Sequence, residues 1–388
     1  MPNVSCQITA GSWSIDSASD PRTEFASLDL NMTVNGFPDL CRIAVYAPPS
    51  PKKSLLDEAV GTAMEMAGGA LGLNGGSEKK AFSIQVRGNA INPGDPVTIE
   101  LATGDRSNKV MTAEVQSIHS SFGQTVIGGT TGRQKLANTR LNQIYENRTL
   151  LQIVKDLAGQ ADVRTGDIAT GSTYSYFVVH ESKSLLRHMQ ELAVRDGLDL
   201  YFDTENKLTL KEFEKSSADH TFHYGIDILD LQLWKHQPTS NHLMVYGESP
   251  SSNQGASTWH WLAKDLKSFR SDVGEGAQLV GASDGAIRTK DAADSLAKAK
   301  FGAMKDQATA GRLKILGNPM VKLGDAIEIA DAPKPELNGL FKVVSVRHRY
   351  SKHDGFVTIV GFSGQGGAAA AEGLLGQAIG QLAGALGL

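Results

Sequence analysis

Short runs of alternating apolar and polar residues, separated by glycine, asparagine, aspartate or proline, dominate both ends of this chain. Such alternation is typical of β-strands with one buried face, and the separating residues are typical of tight turns. Two runs are alike: 87–100 reads RGNAINPGDPVTIE, and 316–329 reads LGNPMVKLGDAIEI. Each contains a Gly-Asn pair, then a Gly-Asp pair, then an alternating strand.

Further blocks match in the same order along the chain. They pair 84–89 with 313–318, 114–119 with 342–347, 125–129 with 358–362 and, upstream, 41–46 with 242–246. An internal repeat of this kind predicts a duplicated small β-barrel. It also predicts equivalent turn positions, which are Gly88, Gly94 and Asp95 in the first copy and Gly317, Gly324 and Asp325 in the second.

Between the two copies the apolar period changes to that of helices. Segments 147–162 and 182–197 each carry one apolar face at helical spacing. Thr149 and Gln152 have the spacing of a capping box, and Gly197 is placed to end the second helix. Strands are predicted over 173–181 and 198–213, so this region forms a small α+β unit.

The predicted fold is therefore α+β and mainly β, with two similar barrels flanking the small α+β domain. A helix is expected over 289–308. The predicted organisation is a first barrel over 1–130 with a helical insertion at 48–80, an α+β domain over 131–215, a second barrel over 216–363 with an insertion at 250–310, and a Gly/Ala-rich helical tail over 364–388.

Composition narrows the class of protein. The 388 residues are 40% hydrophobic with a formal charge of −4, which gives no indication of nucleic-acid binding. Cys6 and Cys41 are too few for a disulfide framework. The N-terminus lacks the basic and apolar pattern of a signal peptide, and no run of about 18 apolar residues predicts a membrane-spanning helix.

Candidate chemistry is sparse. GASDG at 281–285 matches the nucleophile-elbow pattern around Ser283, but that motif needs a strong strand before the serine and a helix directly after it. GGTTGRQK at 128–135 lacks the ending of a phosphate loop and is interpreted as a loop leaving the barrel. The aromatic triplet at 259–261 is interpreted as packing, and the histidines lack zinc-site spacing. We predict no catalytic residue, no cofactor and no metal.

The chain resembles a known family over about 80–365. NQIYENRTLLQIVKDLAGQADV followed by YSYFVVHESKSLLRHMQELAVRDGLDLYFD is similar to the phage late control protein D family, with Leu185, Leu192, Gly197 and Phe202 at marker positions. That family includes baseplate hubs of contractile phage tails and the hub half of injection-system spike proteins, including VgrG-like ones. The resemblance implies tube-type barrels and a structural, non-enzymatic hub.

The resemblance also implies partners. A homotrimer with two barrels per chain would present a pseudo-six-fold ring to a hexameric tail tube or tube-initiator protein. The segment after the second barrel is too short for a needle, which implies a separate spike protein. A tape-measure protein or payload is a further candidate for the lumen. Assembly in the cytoplasm, followed by incorporation into a virion tail or injection particle, is expected. The alternatives are a hydrolase using Ser283 and a peptidoglycan- or glycan-binding module.

The tail carries an apolar seam at coiled-coil spacing and a small-residue repeat. The seam comprises Leu375, Ile379, Leu382 and Leu386, and the repeat comprises Gly376, Gly380 and Gly384. Glycine weakens an isolated helix by about 1 kcal/mol per site relative to alanine, so the tail needs a partner. A bundle on the trimer axis, docking onto the spike or a lumen protein, and a disordered or membrane-active end remain open.

Overall fold

Two sets of mostly antiparallel strands, one near each end of the chain, are joined edge to edge in one 13-stranded sheet. The structure is a computed structural model. The residues that it describes are 4–18, 25–36, 38–46, 84–86, 89–213, 217–237, 240–250 and 262–364.

The first strand set, called the first barrel below, occupies the N-terminal third. In the large sheet its strands lie in the order β3-β4-β9-β8-β7-β1-β2, while β5 and β6 form a separate hairpin. The strands are Val4–Ala10 (β1), Trp13–Asp16 (β2), Phe25–Thr33 (β3), Leu40–Tyr46 (β4), Ile84–Val86 (β5), Asn89–Ile91 (β6), Pro96–Thr103 (β7), Arg106–Ser120 (β8) and Gln124–Thr130 (β9).

The α+β unit follows, with two small sheets of its own: β10 pairs with β12, and β14 lies between β11 and β13. Its elements are Arg133–Asn138 (α1), Gln143–Thr149 (β10), Leu150–Gln160 (α2), Thr165–Ile168 (β11), Thr173–Val179 (β12), Leu185–Asp196 (α3), Asp199–Phe202 (β13) and Leu208–Lys211 (β14).

Local signals set the helix ends, as predicted for Thr149 with Gln152 and for Gly197. The Thr149 hydroxyl accepts from the Gln152 amide, and the Gln152 side chain accepts from the Thr149 amide, which completes the capping box. The Ser184 side chain caps α3 by accepting from the Arg187 amide, and Gly197 ends that helix with φ of 70°. Both predicted helices are confirmed.

The remaining strands form the second barrel and a unit inserted into it. The elements are His220–His223 (β15), Ile228–Lys235 (β16), His242–Pro250 (β17), Leu262–Gly274 (β18), Leu279–Ser283 (β19), Lys290–Ala308 (α4), Thr309–Leu316 (β20), Ala326–Ala330 (β21), a 3-10 turn at Pro335–Leu337, Gly339–Ser351 (β22) and Gly355–Ser363 (β23). Strands β15, β16 and β20–β23 belong to the large sheet, and α4 confirms the predicted third helix.

Three hydrophobic clusters organise the described residues. The largest runs through both barrels, from Cys6 to Phe362. A second fills the α+β unit, where the apolar faces of α2 and α3 meet β10–β14. A small third cluster, built on Leu243, Val245 and Leu296, lies between α4 and the sheet β18-β17-β19.

The predicted mainly β fold class is confirmed, but two of the sequence matches are wrong in strand pairing. Segment 84–89 contributes to the β5–β6 hairpin, whereas its proposed match 313–318 contains the end of β20, a strand of the large sheet. Segment 242–246 belongs to the inserted sheet, not to the large sheet that contains 41–46. Short alternating strands look alike in sequence, and only their non-local partners distinguish them.

Candidate functional site

The two Gly-Asp turns have the same backbone geometry. Gly94 has φ of 95° and Gly324 has φ of 77°, a region that glycine enters without steric cost. The Gly94 amide donates to the Val115 carbonyl at 2.8 Å, and the Gly324 amide donates to the Val343 carbonyl at 3.3 Å. Each turn therefore binds the strand that begins the next hairpin.

The aspartates of these turns have matching roles. The Asp95 carboxylate accepts from the Asn92 amide at 2.8 Å, and the Asp325 carboxylate accepts from the Lys322 amide at 2.8 Å. Each side chain thus satisfies a backbone donor three residues earlier, as aspartate does in turns. Asp325 also lies 3.1 Å from Nε2 of His220, which attaches β15 to the second turn.

The other predicted pair of equivalent turn residues is Gly88 and Gly317, of which the structure describes only Gly317. Gly88 lies outside the described residues. The Gly317 amide donates to the Phe356 carbonyl at 3.0 Å, and a Cβ at Gly317 would collide with the Phe356 ring. Glycine at 317 is therefore required by close packing.

Matched bulges extend the repeat beyond the turns. The pairing of β8 with β9 shifts register between Val115 and Ser117, and the pairing of β22 with β23 shifts between Val343 and Ser345. The extra residue therefore stands at the same position of each hairpin. Bulges bend a strand and are specific features rather than defects.

A second pair of bulges fixes the remaining correspondence. The pairing of β3 with β4 shifts between Phe25 and Ser27, and the pairing of β16 with β20 shifts between Ile228 and Asp230. By pairing order, β3 corresponds to β16, β4 to β20, β7 to β21, β8 to β22 and β9 to β23. Residues 41–46 therefore correspond to residues 311–316 in the repeat. This correspondence replaces the two wrong sequence matches.

The two barrels meet at a junction where β3 and β22 pair antiparallel. Residues 27–33 of β3 face residues 351–345 of β22 in continuous register. The Arg347 guanidinium donates to the Asp29 carboxylate at 2.8 Å across this junction. One sheet consequently runs through both barrels.

Buried apolar side chains pack together at the junction. The Phe25 and Tyr350 rings stack with centroids 5.3 Å apart. Leu28 and Leu30 of β3 are 1% and 0% exposed. Both leucines point into the common core, and β22 covers the strand edge that carries them.

A buried ion pair fixes the α+β unit to the first barrel. Arg133 at the start of α1 donates to the Gly36 carbonyl at 3.0 Å and to the Thr33 carbonyl at 2.7 Å, and its Nε lies 3.6 Å from the Asp39 carboxylate. Asp39 also accepts from the Thr131 hydroxyl and from the Thr33 amide. Burial raises the pKa of Asp39 and lowers the pKa of Arg133, and the charge of each opposes the shift in the other.

Two further contacts position the α+β unit against the junction. Asn35 exchanges two hydrogen bonds of 2.8 Å with the backbone of Leu200, one through its amide and one through its side-chain oxygen. Lys342, at the β21 end of β22, forms an ion pair with Asp199. The unit therefore contacts the turn that follows β3 and the first residues of β22.

Ser283 does not stand in a nucleophile elbow. It is exposed at the end of β19, and the next helix begins only at Lys290. The adjacent Asp284 is held by the Arg195 guanidinium at 2.7 and 3.1 Å, which lowers the pKa of that carboxyl. Within the described part of the chain, the depression around Ser283 has no histidine in its lining.

The structure leaves several predicted features untested and describes others. The insertion 48–80, the aromatic triplet at 259–261 and the apolar seam and glycine repeat of the tail lie outside the described residues. Cys6 and Cys41 are free and buried, and burial raises the pKa of both thiols. No described helix is long and apolar enough to cross a membrane. No group of three or more His, Cys, Asp or Glu residues among those described is arranged to hold a metal ion.

Sequence reasoning missed the residues that join the units. The sequence pattern predicts a barrel-exit loop around Arg133, whereas this residue is buried at the start of α1. No local signal marks it, because Asp39 lies far away in sequence. The bulges and the β3–β22 junction are equally non-local.

Comparison with known proteins finds likeness in structure alone. No family model matches the sequence, and no curated protein matches it. The 43 kDa tail protein of prophage MuSo2 from Shewanella oneidensis superposes with a TM-score of 0.64 at 10% identity, covering 93% of this chain and 98% of that one. A tail protein from Neisseria meningitidis MC58 gives 0.61 at 11% identity, covering 93% and 96%.

A third structure comes from a different kind of system. It is an E. coli component of the type VI secretion system, described as similar to bacteriophage T4 tail proteins. Its TM-score is 0.51 at 10% identity, covering 92% of this chain and 76% of that one. The chain therefore has the fold of these tail and secretion proteins over nearly its whole length.

Proposed function

We propose that this chain is the structural, non-enzymatic hub of a contractile phage tail or a related injection particle. In this role it forms a homotrimer that joins a hexameric tail tube to a separate trimeric spike. The observation that carries the proposal is the repeat: two barrels with matched turns and matched bulges share one sheet within a single chain.

The repeat addresses a mismatch of symmetry. Three chains with two barrels each supply six similar barrels around one axis. A ring of this kind has three-fold symmetry by chain and approximate six-fold symmetry by barrel. It could thus contact a hexameric tube on one face and a three-fold spike on the other. Head-to-tail contacts of this type close into rings when the rotation permits.

The fold likeness supports this role, because it extends over 93% of the chain to tail proteins of two bacterial sources. The α+β unit supports it differently. Through Arg133 it is bonded to the end of β3, and through Asp199 it is paired with Lys342 of β22, so it holds the two barrels in a fixed relative position. In the hub it acts as a rigid bracket, not as a glycan-binding module.

The test is assembly with partners. The chain is purified alone and with the tube protein and spike protein encoded beside its gene, and each sample is analysed by native mass spectrometry and electron microscopy. We expect three copies of the chain in a ring with six similar lobes. A chain that stays monomeric with both partners present would refute the hub.

A further inference from the structure

Two strand edges of this chain correspond to the edges that meet at the junction, yet neither pairs with the other: β16 is the first strand of the large sheet, and the last residues of β8 extend beyond the part that pairs with β7. Strand β16 corresponds to β3, and the end of β8 over 117–120 corresponds to the part of β22 that pairs with β3. Among the strands that the structure describes, β16 pairs only with β20. The described partners of β8 are β7 along 106–114 and β9 along 114–120.

Burial on β16 shows what this edge lacks. Leu28 and Leu30 of β3 are fully buried at the junction, whereas their counterparts Leu231 and Leu233 are only half-buried. All four leucines point toward the common core. The difference follows from the absence of a covering strand over β16 in the described chain.

The β8 edge shows the complementary pattern. Tyr350 of β22 is 8% exposed and stacks on Phe25, while Phe122, at the corresponding spacing along the chain but just past the end of β8, is 108% exposed. Phe122 lies in the turn between β8 and β9. A single exposed apolar residue is common on protein surfaces, so Phe122 supports an interaction surface only together with the uncovered strand edge beside it.

We propose that β16 of one copy pairs antiparallel with the end of β8 of the next copy, in the register of the β3–β22 junction. This inference rests on the proposed hub and names the surface that closes its ring. The partner is a second copy of this chain, because the same pair of edges is already joined once within each chain.

The repeat fixes the register of this contact. Positions in β22 correspond to positions in β8 through the shared bulge, and positions in β3 correspond to positions in β16 through the other bulge. The pair Arg347–Asn31 of the junction then becomes His119–Trp234 between copies. If the same spacing continues past the end of β8, Phe122 in the following turn comes close to the neighbour's Leu231 and Ile228.

Charge permits the contact. The ion pair of Arg347 with Asp29 has His119 and Gln232 as its counterparts, so no like charges oppose each other there. Exposed Trp234 adds apolar surface beside the histidine. Unpaired strand edges readily accept another chain, and a register shifted by one residue would turn the side chains of the incoming strand to the opposite face of the sheet.

A cross-linking experiment tests the register. The double variant His119→Cys/Trp234→Cys places two thiols on directly opposed positions, and such Cα atoms lie within the span of a disulfide. The two native cysteines are buried and contribute little background. Asn31→Cys/Arg347→Cys is the internal control, which should cross-link within one chain. His119→Cys/Leu233→Cys is the register control, because residue 233 points to the other face.

Oxidation of the His119→Cys/Trp234→Cys protein, assembled with its tube and spike partners, should give linked species of two and three chains, with the 119–234 peptide identified by mass spectrometry. The register control should give little of either. A trimer by native mass spectrometry without this link would overturn the contact and leave the hub intact. The absence of any trimer would overturn both, and an open ladder beyond three chains would overturn the ring.

Phe122 provides a second test without cysteines. Phe122→Asp should leave the melting temperature of the single chain unchanged, because the Phe122 side chain is fully exposed. It should weaken trimer formation roughly ten- to hundredfold, the loss expected when a buried phenylalanine is removed. Phe122→Tyr introduces the residue type found at position 350, and this variant should assemble normally. Equal assembly of Phe122→Asp and the wild type would refute the contact.

Discussion

Removing the Asp39 carboxylate should destabilise the attachment of the α+β unit more than any change at an exposed ion pair. In Asp39→Ala the Arg133 guanidinium remains buried without its counter-charge, and the Thr33 amide and the Thr131 hydroxyl lose their acceptor. Breaking a buried pair on one side costs about 3–5 kcal/mol. The two remaining bonds from Arg133 to backbone carbonyls place the expected loss near the lower end of that range.

The assay is hydrogen exchange followed by mass spectrometry, because a chain with several cores need not unfold in one step. Peptides that cover 25–46 and 131–140 should exchange roughly a hundredfold faster in Asp39→Ala, as a loss of about 3 kcal/mol requires. The double variant Asp39→Ala/Arg133→Met should recover part of this loss, since it no longer buries an unpaired charge.

The matched control is Asp29→Ala, which removes the partner of Arg347 at the junction. That pair is partly exposed on both sides, and such pairs contribute about 0–1 kcal/mol. If Asp39→Ala is no more destabilising than Asp29→Ala, the buried pair does not hold the unit in place, and the reasoning from burial fails.

Further predictions concern the turns, one buried histidine and the tail. Gly324→Ala and Gly94→Ala should each lower the free energy of unfolding by about 1–2 kcal/mol, because both turns need a positive φ; denaturant titration checks this, and a neutral effect at both would contradict the repeat of turns. Burial lowers the pKa of His348 to about 3, so protonation of this histidine favours the unfolded chain below pH 6.5. The free energy of unfolding should therefore fall by about 1.4 kcal/mol per pH unit as the pH drops from 6.5 toward 3. His348→Gln should flatten that part of a melting-temperature profile, and an unchanged slope would contradict this prediction. A chain cut after Gly364 should keep its melting temperature and lose assembly with the spike, and Ile379→Asp should do the same without shortening the chain; particles that assemble at wild-type levels would show that the tail is passive.

The sequence predicts those features whose signals are local. The capping box of Thr149 and Gln152, the αL residue Gly197 and the two Gly-Asp turns each depend on contacts within a few positions. Together with the helical apolar spacing, such signals place three of the four described helices, α2, α3 and α4, to within a few residues. They also identified the repeat from its turns and from the β8–β9 and β22–β23 hairpins.

The wrong matches depended on partners distant in sequence. Strand β4 corresponds to β20 by pairing, but an alternating segment at 242–246 looked equally similar to 41–46. That segment instead starts the inserted sheet, so the excursion begins at His242, earlier than the predicted 250. Arg133 was missed for a related reason: arginine is usually exposed, and only the fold brings Asp39 to it.

The two barrels differ in side chains at the strand edges that form the junction and the proposed contact between chains, and this difference affects the symmetry of the ring. If the junction within a chain and the contact between chains used the same side chains, a single barrel could build the whole ring, and every contact would be equivalent. Instead Arg347 and Asp29 form an ion pair at the junction, while their counterparts, in the edges that no described strand covers, are His119 and Gln232. In the proposed ring, alternate contacts are therefore chemically distinct. The ring keeps the six-fold shape that a tube requires and gains the three-fold pattern of side chains by which a trimeric spike can be recognised.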